Sequence, residues 1–287
     1  GGIAQPIGGG QAHGVGALNR SANKGSSSHG YTHTMNDPSW PTLIALDTST
    51  QEMSLAVQVG AVTRTWQGPG GAEASGHLLK QICELLTQCA GSLQSVHAVA
   101  FGAGPGAFTG LRTAASVAQG LALGADAQVI PVDSLMVVAE AAWLEAVPPE
   151  PQELLTQVGV VMDARMGEVY VGRYGRADDA WQVVRAPALC DPADVAAHWG
   201  GSEGWPAWVT GSGVSMLDVP STVQVVQARD RAAALLRLAQ RGLAQGRGID
   251  PAQALPLYLR DQVALTTAQR QAVAALGPSG TPRSAQG

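Results

Sequence analysis

The sharpest local feature of the sequence is a glycine-rich segment, Gly104–Arg112, which reads GPGAFTGLR. It lies between a predicted strand and a predicted helix, where glycines permit a tight turn and the close approach of another group. A cap at Thr109 would leave the N-terminal amides of the helix facing an anion. We interpret the segment either as a site for phosphate or a partner's backbone, or as a tight strand-to-helix turn. Its candidate contact residues are Gly104, Gly106, Thr109 and Arg112, and Gly106 is expected to have a positive φ.

Acidic residues follow two predicted apolar strands. Asp47 ends the first of these strands and is followed by Thr48 and Ser49. Because ligands bind at the carboxyl ends of strands in open α/β sheets, this cluster is a candidate for holding a metal or a phosphate. The alternative is an Asx turn that closes the corner. Asp163 and Glu168 carry the same two interpretations, and Glu168 is expected to face solvent.

Several motifs of metal-dependent and nucleophilic enzymes are missing. The sequence has no HExxH and no CxxC, and Cys83 lies in a predicted helix without an obvious base. The glycine-rich segment lacks the lysine of a Walker loop and the spacing of GxGxxG. We therefore predict that this chain holds no metal and has no catalytic residue. Cysteines without a pairing pattern fit a reducing, cytoplasmic location.

The composition is that of a folded protein with a large core. Of 287 residues, 45% are hydrophobic and 14% are charged, and the formal net charge is −5, which argues against a general coat protein for nucleic acids. From Arg229 to the end, eight basic residues outnumber three acidic ones. This basic part is interpreted either as a contact for RNA or an acidic partner, or as a solvated helix face. No apolar run reaches the about 18 residues of a transmembrane helix, so no membrane association is expected.

Apolar runs and turn residues predict the order β-β-β-α-β-α-β-α for the first half of the chain. Leu43–Leu46 is a continuous apolar run, as expected of a buried central strand. An antiparallel three-strand unit followed by right-handed βαβ crossovers is the ribonuclease-H-like arrangement. The other predicted elements are Met53–Val59, Ala61–Trp66, a helix from Ser75, Val96–Phe101, Thr109–Gly124, Val129–Val132 and Ser134–Leu144.

A second copy of this unit follows the first. Leu43–Val59 and Gly159–Gly175 share an apolar strand, an aspartate, a short polar turn and an alternating strand, with Asp47 and Asp163 as the matched acids. We therefore predict a duplicated, two-lobe α/β fold. Its expected parts are a disordered tail 1–40, a first lobe 41–146, a linker 147–155, a second lobe 156–276 and a second tail 277–287. Met35 is a candidate natural start, because the residues before it show no hydrophobic period.

The predicted helix Thr109–Gly124 is apolar around most of its circumference, which indicates burial on two sides. Its residues Gly110, Ala114 and Ala118 recur at a spacing of four and would let another helix approach closely. The helix either lies wholly inside the domain or turns one face to a partner chain. The small-residue side is expected to be the partner face.

Six short stretches resemble the signature sequences of the TsaB (YeaZ) family, and they occur in order over about residues 43–260 of this chain. The most specific are GPGAFTGLR and DARMGEVY. The six stretches are Leu43–Thr50, Gly104–Arg112, Gly120–Ala122, Pro131–Leu135, Asp163–Tyr170 and Pro256–Arg260.

This resemblance implies the duplicated ribonuclease-H-like fold of the actin, sugar-kinase and chaperone-ATPase superfamily. It implies a dimerisation scaffold that is not catalytic alone and that pairs with its paralogue TsaD. TsaD would hold the metal and transfer the threonylcarbamoyl group to N6 of adenosine 37 in tRNA. A small ATPase, TsaE, would join the complex, and tRNA would be reached through it. Whether ATP or ADP binds at the complex interface, and whether the chain alone forms a homodimer, are left open.

Pairing in the family uses helices of the first lobe, here about residues 75–90 and 109–124. One departure is visible: Ala74–Lys80 lacks the leading His and the Glu of the HSExLLP stretch that many relatives carry, so any polar contact of those residues is in doubt. The interface residues implied by the resemblance are Leu78, Leu79, Ile82, Leu111, Ala114, Ala118 and Leu121.

Two other functions stay open at this point. An ATP-dependent, kinase-like enzyme of the same superfamily would need phosphate loops in both lobes, and the second lobe offers only the short Gly211–Gly213. A metal glycoprotease-like hydrolase would need metal ligands that the sequence is expected to lack. ATP turnover by the isolated chain, compared with tRNA modification after addition of TsaD and TsaE, distinguishes these functions.

Overall fold

The computed structural model describes residues 40–70, 74–146, 157–177, 180–200 and 204–260. The predicted tails (apart from Trp40) and the predicted linker 147–155 lie outside the described residues.

The first half of the chain forms a five-stranded sheet with the strand order β3-β2-β1-β4-β5. Strand β2 pairs antiparallel with β1 and with β3, so the predicted hairpin is confirmed. Strand β4 pairs parallel with β1 and with β5, as the predicted crossovers require. The elements are β1 (Thr42–Asp47), β2 (Glu52–Val59), β3 (Val62–Pro69), α1 (Ala74–Gln88), β4 (Val96–Gly104), α2 (Phe108–Ala125), β5 (Gln128–Asp133) and α3 (Ser134–Ala146).

The second half forms another five-stranded sheet, with the order β10-β9-β6-β7-β8. Its first helix is short, because Pro192 begins a 3₁₀ turn and the α-helix starts only at Val195. The elements are β6 (Gln157–Arg165), β7 (Glu168–Ala177), β8 (Ala180–Cys190), α4 (Val195–His198), β9 (Trp208–Thr210), β10 (Gln224–Val226) and α5 (Arg231–Ala244).

The two sheets have the same topology. Strand β6 pairs antiparallel with β7 and parallel with β9, as β1 pairs with β2 and β4, and β10 takes the place of β5. The predicted duplicated, ribonuclease-H-like α/β fold is thereby confirmed.

Strand β1 is buried on both faces, which explains why its sequence is a continuous apolar run. Ile44 and Leu46 belong to the core beneath α1 and α2, whereas Leu43 and Ala45 belong to the core beneath α5. Successive side chains of a strand point to opposite faces, so each covering layer receives every second residue. Helices α1 and α2 therefore cover the same face of the first sheet.

Helices α3 and α5 connect the two halves. Trp143 and Val138 of α3 pack with the second sheet, while Val137 and Ala141 on its other side pack with the first sheet and α5. Helix α5 follows the second sheet in sequence, yet Leu235 and its apolar neighbours cover the first sheet. Each half thus contributes a helix to the core at the junction.

Candidate functional site

The carboxylate of Asp47 is fully buried at the end of β1 and forms an ion pair with Arg231. Arg231 Nη2 lies 3.0 Å from Asp47 Oδ2, and its Nη1 donates a hydrogen bond of 2.7 Å to Thr50 Oγ1. The other carboxylate oxygen, Oδ1, accepts a hydrogen bond of 2.7 Å from Ser49 N. Asp47 thus closes the predicted Asx turn, and its charge is balanced by an arginine from α5.

The space for this carboxylate exists because the facing residue on β4 is a glycine. A Cβ on Gly102 would overlap the carboxyl group of Asp47. No local pattern in the sequence indicated Arg231 or Gly102 as part of this site. Arg231 is 184 residues away from Asp47, and no local spacing links positions so far apart. The only local signal is Asp230, whose residue type is favoured at the N-cap of a helix and which directly precedes Arg231.

The glycine-rich segment packs on the turn that follows Asp47. Ala107 N donates a hydrogen bond of 2.7 Å to Ser49 O, and Thr48 Oγ1 donates one of 2.6 Å to Gly110 O. A Cβ on Gly106 would lie 2.5 Å from Ser49 O, and one on Gly110 would overlap the backbone of Thr48. Glycine is therefore needed here for contact within the chain, which supports the strand-to-helix turn.

Two local expectations for this segment are wrong. The positive φ belongs to Gly104, at +112°, and not to Gly106, whose constraint is close packing. The helix is not capped by Thr109, because α2 begins at Phe108 and its N-cap residue, Ala107, has no side-chain acceptor.

Arg112 extends from the first turn of α2 toward the C-terminal end of the described chain. Its guanidinium carbon lies 3.9 Å from the centre of the Phe108 ring, and its Nε donates a hydrogen bond of 3.1 Å to Tyr258 Oη. The Phe108 and Tyr258 rings are 5.0 Å apart. Leu257 N donates a further hydrogen bond, 2.6 Å long, to Ala103 O. Residues of the Pro256–Arg260 stretch thus hold the glycine-rich segment in place.

The matched acid of the second half, Asp163, has a different environment. It accepts a hydrogen bond of 2.7 Å from Arg165 N and pairs with the Arg165 side chain at 3.2 Å, in a partly exposed turn. Glu168, expected to face solvent, is partly exposed and forms an ion pair of 2.6 Å with Arg260. Arg260 Nη2 also donates a hydrogen bond to Ala164 O. The turn of the second copy is therefore held by the last residue of the Pro256–Arg260 stretch.

A cleft of about 930 Å³ separates the two halves at this end of the sheets. Of the predicted contact residues, Ser49, Gly106 and Asp163 line it, together with Arg231. Asp47, Thr48, Gly104, Thr109, Arg112 and Glu168 are not part of its lining.

Asp133, in the Pro131–Leu135 stretch, connects the two halves beneath this cleft. Its carboxylate accepts a hydrogen bond of 2.6 Å from Tyr174 Oη on the second sheet and one of 2.8 Å from Leu135 N. Burial raises the pKa of the Asp133 carboxyl above its usual range, although these hydrogen bonds counteract it. Burial, with the nearby Asp133, also raises the pKa of Tyr174. The pair is a structural connection between the two sheets.

The residues predicted to contact a partner are mostly internal. Leu78, Ile82, Leu111, Ala114, Ala118 and Leu121 all belong to the chain's own core, whereas Leu79 is 49% exposed. The small-residue side of α2 thus packs on the first sheet. On α2 the outward residues include Arg112, Ser116, Gly120 and Leu123. Any pairing surface on α1 and α2 must therefore consist of exposed residues.

Two spacings associated with catalysis do occur in the sequence. His29 and His33 form an HxxxH spacing, but they precede the described residues. Gly200–Gly204 matches GxSxG, but it follows α4 and precedes β9, and its serine lies outside the described residues. A nucleophile elbow requires a strand before the motif and a helix after it. Within the described ranges, no three His, Cys, Asp or Glu side chains are grouped so as to hold a metal ion.

None of the helices that the structure describes combines the length and the apolar character needed to cross a bilayer.

Known proteins resemble this chain in sequence and structure. The family model of TsaD, tRNA N6-adenosine threonylcarbamoyltransferase, matches residues 72–208. The tRNA threonylcarbamoyladenosine biosynthesis protein TsaB of Escherichia coli (strain K12) is 32% identical over 77% of this chain and 96% of its own length. The TsaB protein of Haemophilus influenzae is also 32% identical, over 77% and 94%.

A solved structure has the same overall arrangement. YeaZ from Pseudomonas aeruginosa superposes with a TM-score of 0.63 and 32% identity, covering 77% of this chain and all of that one. The signature stretches, the duplicated topology and these similarities agree. The chain belongs to the TsaB (YeaZ) family of tRNA threonylcarbamoyladenosine biosynthesis proteins.

Proposed function

We propose that this chain is a non-catalytic subunit in the biosynthesis of threonylcarbamoyladenosine in tRNA. It pairs with TsaD, which transfers the threonylcarbamoyl group to N6 of adenosine 37, and TsaE joins the complex. The observation that carries this proposal is the buried ion pair between Asp47 and Arg231. The acid at the end of the first strand already has a permanent cation from its own chain.

The environment of Asp47 does not suit a phosphate or a metal ion. A metal would have to displace the Arg231 guanidinium, and a phosphate would meet the buried carboxylate. Removing one partner of a buried ion pair costs about 3–5 kcal/mol, so exchange of Arg231 for a ligand is unfavourable. The backbone around Ser49 is likewise occupied by its contact with Ala107.

The glycines that the structure describes at the corresponding position of the second half pack against β6. A Cβ on Gly211 would overlap Val161 O, and one on Gly213 would lie 2.9 Å from Val161 Cγ1. These glycines permit close packing on β6, and Gly213 N donates a hydrogen bond of 3.0 Å to Val161 O. Both glycine segments are thus used for contacts within the chain, which supports a scaffold over a kinase-like enzyme.

The test of this function compares the isolated chain with the reconstituted complex. The pure protein should hydrolyse no ATP and should modify no tRNA. Addition of TsaD and TsaE, with tRNA and the precursors of the threonylcarbamoyl group, should give modified adenosine 37 that depends on this chain. ATP turnover by the isolated chain at the rate of the complex, or full modification without the chain, would contradict the proposal.

The proposed pairing surface is the outer side of α1 and α2. Leu79 and Leu123 are exposed there, at 49% and 70%, and they are large apolar side chains on the two helices that cover the same face of the first sheet. Exposed apolar residues of this kind favour association, with TsaD or, in its absence, with a second copy of this chain.

Leu123→Arg should weaken binding to TsaD by at least about tenfold, because a bulky charge would be desolvated at the contact. The fold should be unaffected, since Leu123 is mostly exposed. Val183→Arg is the matched control, because Val183 is 51% exposed but lies on β8 of the second sheet. Titration of each variant with TsaD, after a thermal melt, measures both properties. Equal affinity of the two variants would place the pairing surface elsewhere.

A further inference from the structure

Arg231 lies where three parts of the chain meet. It is the first residue of α5, it lines the interlobe cleft, and its guanidinium lies under the turn between β1 and β2. The side chain is 7% exposed. An arginine from the end of the fold thus supports a turn near its beginning.

A continuous series of polar contacts leads from Arg231 to helix α2. Arg231 Nη2 pairs with Asp47 Oδ2 at 3.0 Å and lies 3.4 Å from Ser49 Oγ. Asp47 Oδ1 in turn accepts the hydrogen bond of Ser49 N. The next step reaches the helix itself, because Ser49 O accepts from Ala107 N, the N-cap residue of α2.

Thr48 provides a second connection to the same helix. Its hydroxyl donates a hydrogen bond to Gly110 O in the first turn of α2, and its backbone occupies the space where a Gly110 side chain would be. The first turn of α2 has no side-chain cap, so these contacts with the β1–β2 turn fix where the helix begins.

The ion pair is not an obvious source of stability. Arg231 Nε is buried and has no hydrogen-bond partner among the described residues. A buried ion pair often gives no more stability than apolar side chains of similar volume, whereas its geometry is strongly directional. Its main effect is therefore expected on the position of the groups it holds.

We propose that Arg231, acting through Asp47, is a positioning residue that sets the N-terminus of α2 and thereby the surface that binds TsaD. This inference rests on the proposed function, because α2 is the proposed pairing helix. It assigns to the second half of the chain a part in binding at a surface formed by the first half.

The binding experiment uses the full chain and purified TsaD. Arg231→Met should weaken TsaD binding by about tenfold or more, and Arg231→Lys, which retains the charge, should recover part of that loss. Arg173→Met is the matched control, because Arg173 is 7% exposed and hydrogen-bonded, at 2.7 Å, to Trp199 O in the second half. This control should bind TsaD within about twofold of the parent at a temperature where all variants are folded.

A second readout does not depend on TsaD. Leu111 N donates a hydrogen bond of 2.9 Å to Ala107 O in the first turn of α2, and Arg231→Met should speed hydrogen exchange there while Arg173→Met should not. If Arg231→Met does not fold, Arg231→Lys decides the matter, because it retains the charge but lacks the second donor group of the guanidinium. Arg231→Lys should then weaken TsaD binding by about threefold.

Several results would overturn the inference. These are parental affinity in folded Arg231→Met (or in Arg231→Lys, if Arg231→Met does not fold), an equal loss of affinity in Arg173→Met, and unchanged hydrogen exchange in the first turn of α2. Failure of the parent chain to bind TsaD would instead contradict the proposed function, and hydrogen exchange would still test the positioning.

Discussion

Glu140→Ala should lower the free energy of unfolding by about 3–5 kcal/mol, because it leaves the buried guanidinium of Arg176, and those of the partly exposed Arg237 and Arg241, without their counter-charge. Glu140 is fully buried in α3, where α3 meets α5 and the second sheet. Its carboxylate accepts hydrogen bonds of 2.8 Å from Arg176, 2.7 Å from Arg237 and 2.6 Å from Trp181 Nε1. Arg241 Nη1 lies 3.3 Å from both oxygens. One carboxylate thus joins α3 to β7, β8 and α5.

Glu145→Ala is the matched control for this prediction. Glu145 lies on the same helix and pairs with Arg229 at 3.9 Å, but its side chain is 26% exposed and that of Arg229 is 75% exposed. A surface pair contributes about 0–1 kcal/mol, so this variant should remain close to the parent. Chemical denaturation of the three proteins gives the comparison. Equal stability of the two variants would mean that the buried cluster contributes no more than a surface pair.

The charged cluster around Glu140 also predicts that the stability of the protein depends on pH. Burial alone would raise the pKa of Glu140, but the hydrogen bonds of Arg237 and Trp181 and the charges of Arg176 and Arg241 outweigh it, so the pKa is lowered. A lowered pKa in the folded state stabilises the protein at neutral pH, and this contribution is lost as pH falls below about 4.3 through the folded-state value. The stability difference between the parent and Glu140→Gln should therefore be constant near neutral pH and decrease in acid.

Local patterns in the sequence were sufficient for most of the fold. The apolar run Leu43–Leu46 and the hairpin after it predicted a buried central strand and its antiparallel partner, and both are confirmed. The repeat of that pattern at Gly159–Gly175 predicted the duplication. What local patterns do not contain is which sheet a helix covers. Helix α5 follows the second sheet but packs on the first, because its apolar side fits the face left open by α1 and α2.

In the candidate site, too, local sequence patterns indicated one part and left another part open. The Asx turn at Asp47 was one of two interpretations of its turn residues, and the structure shows that turn. The partner Arg231 is set by tertiary packing and is 184 residues away. The orientation of α2 could not be predicted from the sequence of the helix alone. A helix with apolar residues on most sides does not indicate which side faces the core, and the structure places Ala114 and Ala118 inside.

The two copies of the unit have diverged at their matched acids. Asp47 is buried and balanced by a distant arginine, whereas Asp163 is partly exposed and balanced by Arg165, two residues away. The first turn supports α2, and the second is fastened by Arg260. The turn of the first copy thus depends on Arg231 from the other half of the chain. This dependence agrees with the proposed part of the first copy in pairing.

Two glycines of α2 provide the sharpest test of how the helix is seated. A Cβ on Gly110 would overlap the backbone of Thr48, which is itself 1% exposed and cannot move without displacing the β1–β2 turn. A Cβ on Gly120 would have no atom within 4 Å. The same substitution in the same helix therefore meets a rigid backbone at one position and open space at the other.

Gly110→Ala should destabilise the protein by about 1–3 kcal/mol or more, because extra volume in a closed core forces the backbone apart. Gly120→Ala should instead stabilise it by about 0.5–1 kcal/mol, because alanine lowers the entropy lost when the helix forms. Chemical denaturation of both variants beside the parent measures the two effects, and thermal melting should give the same order. If Gly110→Ala were as stable as Gly120→Ala, the first turn of α2 would not be held against Thr48, and the second connection between the β1–β2 turn and the helix would not contribute to its position.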